Sequence, residues 1–134
     1  MLKPVIRDDF SAEFFDAAAQ GSLLLRWSPS SGLWSEPAAV VCAHTQAADL
    51  EWKPASGRGH IVSWTAKANR SDPENPTVIA MVETDEGPWL PLWMPDLAPA
   101  DVRPLARVRI DFVQPTDTSE FLPVARLETS QAAD

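Results

Sequence analysis

The segment Gly57-Arg-Gly-His-Ile-Val-Ser-Trp-Thr65 restricts the fold more than any other, because it opens a succession of strand-like runs that fills the second half of the chain. Glycines on both sides of Arg58 free the backbone where an alternating strand begins. Within residues 60–65, Ile61, Ser63 and Thr65 share one side and His60, Val62 and Trp64 the other. Residues 77–83 are apolar on both faces, which suits an enclosed strand. Residues 89–93 form a proline-punctuated strand near an edge. Residues 107–113 alternate most clearly, with Val108, Ile110 and Phe112 inward and Arg107, Arg109 and Asp111 outward. Residues 121–127 supply a fifth strand, and residues 99–102 a helical turn before the fourth. Together these predict a mainly β protein ending in a five-stranded OB-type barrel.

The first half reads differently. Residues 8–20 make the one good helix, with acidic residues and Ser11 at its start, Phe10, Phe14 and Ala18 four apart, and Gly21 as its stop. So short a helix is marginal alone, so it is expected to pack on its own domain. Residues 22–56 are rich in loops: a strand at 23–27, a turn at 28–32, a short strand at Val40-Val41 and a second turn at Cys42-Ala-His-Thr45. The two turns are of matched size and face each other across a hairpin-like gap. Leu50-Glu-Trp52 then leads to Pro54 and the glycines. The chain divides into a helix-and-hairpin segment (1–56), the barrel (57–128) and a polar tail (129–134) that is expected to fray.

Composition narrows the function classes. The 134 residues make one domain's worth of chain, long enough to bury a core. A formal charge of −8 repels polyanions at long range, which argues against nucleic acid as a partner. The longest apolar stretch near the amino terminus, Leu23-Leu24-Leu25, is far below the roughly 20 residues a membrane helix needs, so a cytoplasmic protein with no membrane association is expected. Cys42 is the single cysteine, so no internal disulfide forms. Six tryptophans with no tyrosine supply anchors for a core or an interface.

Read in order, Phe14-Phe15 with Gly21 and the leucines after it, Leu50-Glu-Trp52, Ser56-Gly-Arg-Gly59, Ser63-Trp-Thr65, residues 76–90 with Glu83-Thr-Asp-Glu-Gly87, Asp101-Val-Arg103, residues 108–112 and Leu122-Pro123 cover nearly the whole chain. In this pattern the chain resembles the acyl-CoA-associated OB-fold proteins of the domain of unknown function 35 family, which carry an amino-terminal helix and a rubredoxin-like zinc ribbon. The resemblance implies a non-catalytic accessory subunit of a thiolase-superfamily enzyme (a thiolase, an acyltransferase or an acyl-CoA aldolase). Such a subunit aids assembly and helps hold an acyl-CoA. Two departures stand out. The positions of the family's two CxxC knuckles are here Ser28, Ser31, Cys42 and Thr45. Serine and threonine hydroxyls stay protonated near neutral pH and do not replace thiolates, and adding His44 to Cys42 gives only two ligands, so a zinc-free ribbon remnant is expected and no metal site is assigned. Pro104-Leu105 stands where the family has a glycine, which predicts an altered turn before the fourth strand.

The side chains themselves give no catalytic constellation. Ser28, Ser30 and Ser31 approach His44 only through the hairpin and have no evident acidic partner, so they read as turn residues. Cys42 reads as a buried structural thiol. Glu83, Asp85 and Glu86 read as a solvated turn before Gly87-Pro88. Arg58, His60, Lys67, Arg107 and Arg109, with Arg70 and Arg103 nearby in sequence, are the candidate contacts for a phosphate-bearing ligand such as CoA, against the plain reading of solubility charges on outward strand faces. Phe10, Phe14, Phe15, Trp27, Trp34, Trp89 and Trp93 are the candidate interface, with Met94 beside them. Two rivals to the accessory-subunit reading are a stand-alone acyl-CoA or nucleotide-binding module and a single-stranded nucleic-acid binder of OB type.

Overall fold

Two sheets share this chain, and the side chains that alternate along their strands decide how they join. The computed structural model describes residues 8–115 and 120–128; the tail at 129–134 lies outside the described residues. Helix α1 (Ala12–Ala19) leads into a three-stranded antiparallel sheet of β1 (Leu24–Ser28), β2 (Leu33–Ser35) and β3 (Glu51–Pro54), with β1 in the centre. The barrel follows: β4 (Arg58–Lys67), β5 (Thr77–Thr84), β6 (Trp89–Met94), β7 (Arg107–Val113) and β8 (Leu122–Leu127), closed in the order β4-β5-β6-β8-β7. This is the mainly β architecture that the sequence predicts, with the 3₁₀ turn Pro99–Asp101 in the expected place.

Several boundaries move, each for a local reason. The helix starts at Ala12 rather than residue 8, because Asp8 and Ser11 bond each other in a turn: the Ser11 amide donates to Asp8 Oδ1 at 2.8 Å and the Asp8 amide to Ser11 Oγ at 3.0 Å. Val40-Val41 is not a strand. Both residues are exposed, in a connecting stretch that begins at Glu36 and Pro37, while Leu33-Trp-Ser35 takes the pairing with β1. Glu51 and Trp52 become part of β3, because the pairing runs from Leu24↔Pro54 to Trp27↔Glu51 and completes the sheet.

In the barrel, β7 behaves as its alternation predicts, with Val108 and Ile110 buried and Arg107 and Arg109 exposed. The two faces of β4 do not hold. A bulge between Ile61 and Ser63 interrupts the register, so Ile61 is fully buried whereas Ser63 and Thr65 are exposed. β5 is one-sided rather than enclosed: Val78, Ala80, Val82 and Thr84 are buried and the residues between them half-buried. β6 is not an edge strand, since it meets β8 in parallel through Trp93↔Val124 and closes the barrel. The core runs from Leu23 and Leu25 of the small sheet through Ile61, Val78, Val82, Leu92, Met94 and Val108, so sheet and barrel share one apolar interior.

The two glycines beside Arg58 have separate reasons. Gly57 holds φ +76°, which a side chain disfavours. Gly59 is extended, but a Cβ there would strike the Glu83 carbonyl oxygen and come within 2.9 Å of Val82 Cγ1.

Candidate functional site

Four of the five candidate ligand residues meet at one end of the barrel. The pairing of β4 with β7 sets Arg58 opposite Arg109 and His60 opposite Arg107. The pairing of β7 with β8 sets Arg109 opposite Arg126. Lys67 is at the far end of β4, roughly 30 Å away at the rise of a strand, beside Arg70, Thr77 and Trp93; it is not part of this cluster. Arg103 is not either, because its Nη1 donates to the carbonyls of Ala100 and Val102 and holds the 3₁₀ turn.

Most of the assembled positive charge is already matched. Arg107 grips Asp85 with two parallel bonds of 2.8 and 3.0 Å. The Arg107 hydrogen bond holds the Asp85 carboxyl below the usual range, and Asp85 in turn raises Arg107. Arg58 pairs with Glu128 at 2.6 Å, and His60 Nε2 sits 3.3 Å from Glu83. The turn carrying Glu83, Asp85 and Glu86 is therefore an anchored counter-charge rather than a merely solvated loop; Glu86 accepts the Ser56 amide at 2.7 Å. Arg109 is exposed and lines a 280 Å³ recess with Arg58, Ser22, Ser56, Gly57 and Phe112. A phosphate entering there would meet Arg109 without first breaking an ion pair such as those of Arg58 and Arg107.

The candidate interface residues divide. Phe15 is buried, 9% exposed, against the core and is not surface at all. Trp27 and Trp34 pack edge to face at 5.1 Å under the Lys53 ammonium, which lies 4.2 Å from the Trp27 ring. Phe14 is half-buried against Trp52, and the Arg26 guanidinium lies 4.5 Å from Trp52 and 5.3 Å from Phe10. Phe10 and Trp89 remain open, the latter 52% exposed. Trp89 joins Leu33, Trp34, His44, Gly87 and Pro88 around a 510 Å³ groove between the small sheet and the barrel. Trp93 is half-buried. Trp64, on the exposed half of β4, is not legible in the sequence as a surface aromatic, because strand alternation alone cannot tell a bulged strand from a flat one.

No nucleophilic serine site forms. Ser28 Oγ donates to Asp49 Oδ1 at 2.6 Å, an acidic partner that sequence distance concealed. Hydrogen bonds from Ser28 and Ser30 lower the Asp49 carboxyl to about 2, too weak a base to take a hydroxyl proton at neutral pH. Cys42 is fully buried, as expected of a structural thiol. Hydrogen bonds from the Thr45 hydroxyl and the His44 amide lower it to about 7. Burial denies reagents access to it. Among the described residues, no cluster of three or more His, Cys, Asp or Glu side chains is placed to hold a metal ion, and no helix is long and apolar enough to cross a membrane.

Comparison with known proteins agrees with this architecture. Residues 52–113 match the family model of the ChsH2 C-terminal OB-fold domain. A chain of the Ltp2-ChsH2(DUF35) aldolase superimposes with a TM-score of 0.76 at 28% identity, covering 93% of this chain and 98% of that one. A DUF35-family protein of unknown function from Sulfolobus solfataricus shares the fold, with a TM-score of 0.61 at 15% identity over 90% of this chain and 85% of that one. A curated relative, a probable enoyl-CoA hydratase alpha subunit from Thermomonospora curvata, is 29% identical over 126 residues, which is 92% of this chain; the chain spans 39% of that relative's length. Residues 52–113, which include the strands that carry Arg58, His60, Arg107 and Arg109, are thus similar to the ChsH2 C-terminal OB-fold domain, and the chain as a whole resembles solved structures described as DUF35.

Proposed function

We propose that this chain is a non-catalytic accessory subunit of an acyl-CoA enzyme of the thiolase superfamily, lending it docking surface and part of the wall that holds the CoA. The observation that carries the reading is the correspondence over 93% of this chain with a chain of the Ltp2-ChsH2(DUF35) aldolase, helix and small sheet included rather than the barrel alone. The open aromatics support it. Trp89 and Phe10 flank grooves that a partner's side chains can fill, and neither is needed for the core. The matched arginines argue against the chain binding CoA by itself, since a phosphate has to displace Asp85 or Glu128 to reach Arg107 or Arg58. Arg109 is then the residue through which the barrel contributes to CoA binding.

Co-expression with acyl-CoA enzymes of the same host, followed by mass determination of the purified species, tests the assembly. A complex of fixed stoichiometry is expected, with turnover absent from the isolated chain. A chain that turns over an acyl-CoA unaided, or whose host complexes contain no such enzyme, ends the proposal. The name of the curated relative favours a second partner, an enoyl-CoA hydratase; the same co-purification distinguishes it from an aldolase or thiolase. Micromolar binding of CoA esters to the isolated chain by calorimetry would instead favour the stand-alone module.

A further inference from the structure

The two knuckles of the small sheet are built on one plan. In the first, the Gly32 amide donates to the Ser28 carbonyl at 2.7 Å; in the second, the Gln46 amide donates to the Cys42 carbonyl at 2.8 Å. Gly32 and Gln46 both hold a left-handed backbone, φ +68° and +62°. The first and fourth positions of each turn, 28 with 31 and 42 with 45, thus correspond to one another. The two turns touch where Ser31 Oγ and Thr45 Oγ1 lie 2.6 Å apart. Four such positions on paired knuckles are what a tetrahedral metal centre of ribbon type draws its ligands from, yet three of the four side chains here are neutral hydroxyls. The donor set does not fit zinc.

What fills the space instead is a closed set of hydrogen bonds. Ser28, fully buried, accepts the Ser31 amide at 3.2 Å and donates to Asp49 at 2.6 Å. Asp49 lies outside both knuckles, and its second oxygen takes the Ser30 amide at 2.8 Å, so one carboxylate ties down the whole first turn. Thr45 bonds Ser31 and also accepts the Ala47 amide at 3.3 Å, while Ser35, 2% exposed, accepts the Ala43 amide at 3.2 Å. We propose that these bonds form a metal-free clasp, in which Asp49 and the Ser31–Thr45 contact close the knuckles as a metal does in a four-cysteine ribbon. The inference rests on the knuckle geometry and is independent of which enzyme the chain assists.

Three measurements on the full chain test it. Purified protein is expected to carry no stoichiometric zinc by elemental analysis, and its thermal midpoint to be unchanged by a chelator. Asp49→Asn is expected to speed amide exchange at Gly32 about tenfold, the size of one lost charge-assisted bond, with the barrel strands unaffected. The triple variant Ser28→Cys, Ser31→Cys, Thr45→Cys, which retains Cys42, is expected to bind one Co2+ with the visible absorption of a tetrahedral thiolate site. Stoichiometric zinc whose removal unfolds the native chain overturns the proposal, as does unchanged Gly32 exchange in Asp49→Asn or a folded triple variant that leaves Co2+ unbound.

Discussion

Leu105 and Gln46 hold φ +62° with full side chains, where a β-carbon costs about 1–2 kcal/mol that glycine avoids. At Leu105, where the sequence predicts an altered turn, the Leu105 amide bonds the Ile61 carbonyl at 2.9 Å, and the Ile61 amide bonds the Ala106 carbonyl at 3.0 Å. The turn is pinned from both sides, so the strain is tolerated rather than relieved. Leu105→Gly and Gln46→Gly are each expected to raise stability by about 1 kcal/mol in urea titrations, and a loss of stability in either contradicts the account. Gly59→Ala is expected to do the reverse, costing about 3 kcal/mol, because the barrel has no room for a β-carbon against the Glu83 carbonyl. The acid limb of the stability profile belongs to the same scale. Asp49 binds its proton more weakly folded than unfolded, so its stabilisation is complete above its ordinary value of 3.8 and disappears as the pH falls toward about 2. Thermal midpoints between pH 5 and 2 are expected to fall less steeply in Asp49→Asn than in the native chain.

At the scale of elements, helix α1 is held by packing rather than by its own propensity. It has eight residues, and its Ser11 cap makes no side-chain bond to the helix. Phe15 and Ala18 are its buried anchors. Phe15→Ala is therefore expected to cost about 3 kcal/mol, whereas Trp89→Ser, at an open position, is expected to change stability by less than about 0.5 kcal/mol in the same denaturation assay. The helix itself was legible from Phe10, Phe14 and Ala18, but which phenylalanine entered the core was not. Spacing defines a face, and only the position of the small sheet beneath decides how deep each ring goes. The missed strands teach the same lesson: Val40-Val41 is the more β-prone dipeptide, yet Leu33-Trp-Ser35 pairs because the turn at 28–32 returns it directly alongside β1. Turn length outweighs local propensity in choosing a strand's neighbour.

For the whole molecule, complex formation is the property to test. Trp89→Ser is expected to weaken the proposed enzyme complex tenfold or more while leaving the free chain folded, because solvent-open tryptophans at interfaces carry a disproportionate share of binding energy. Equal affinity of native and variant chains, measured by sedimentation or calorimetry, would move the docking face away from the groove between sheet and barrel. The candidate site shows where sequence reasoning stops. Alternation along β7 placed Arg107 and Arg109 on the outer face, and the glycine pair placed Arg58 at the start of a strand, so their nearness was within reach of the sequence. That Asp85 and Glu128 neutralise two of the arginines, and that Lys67 is carried to the far end, follows from barrel closure, which brings residues 58, 85, 107 and 128 to one rim. The order of residues thus settled what depends on neighbours along the chain: the strand faces, the five-stranded barrel, the loss of thiolates from the knuckles and the resemblance itself. Folding in three dimensions settled which charges are matched, which aromatics stay open and how Asp49 reaches Ser28. Hydrogen bonds and ion pairs act over a few ångströms of space, whatever the number of residues between the partners.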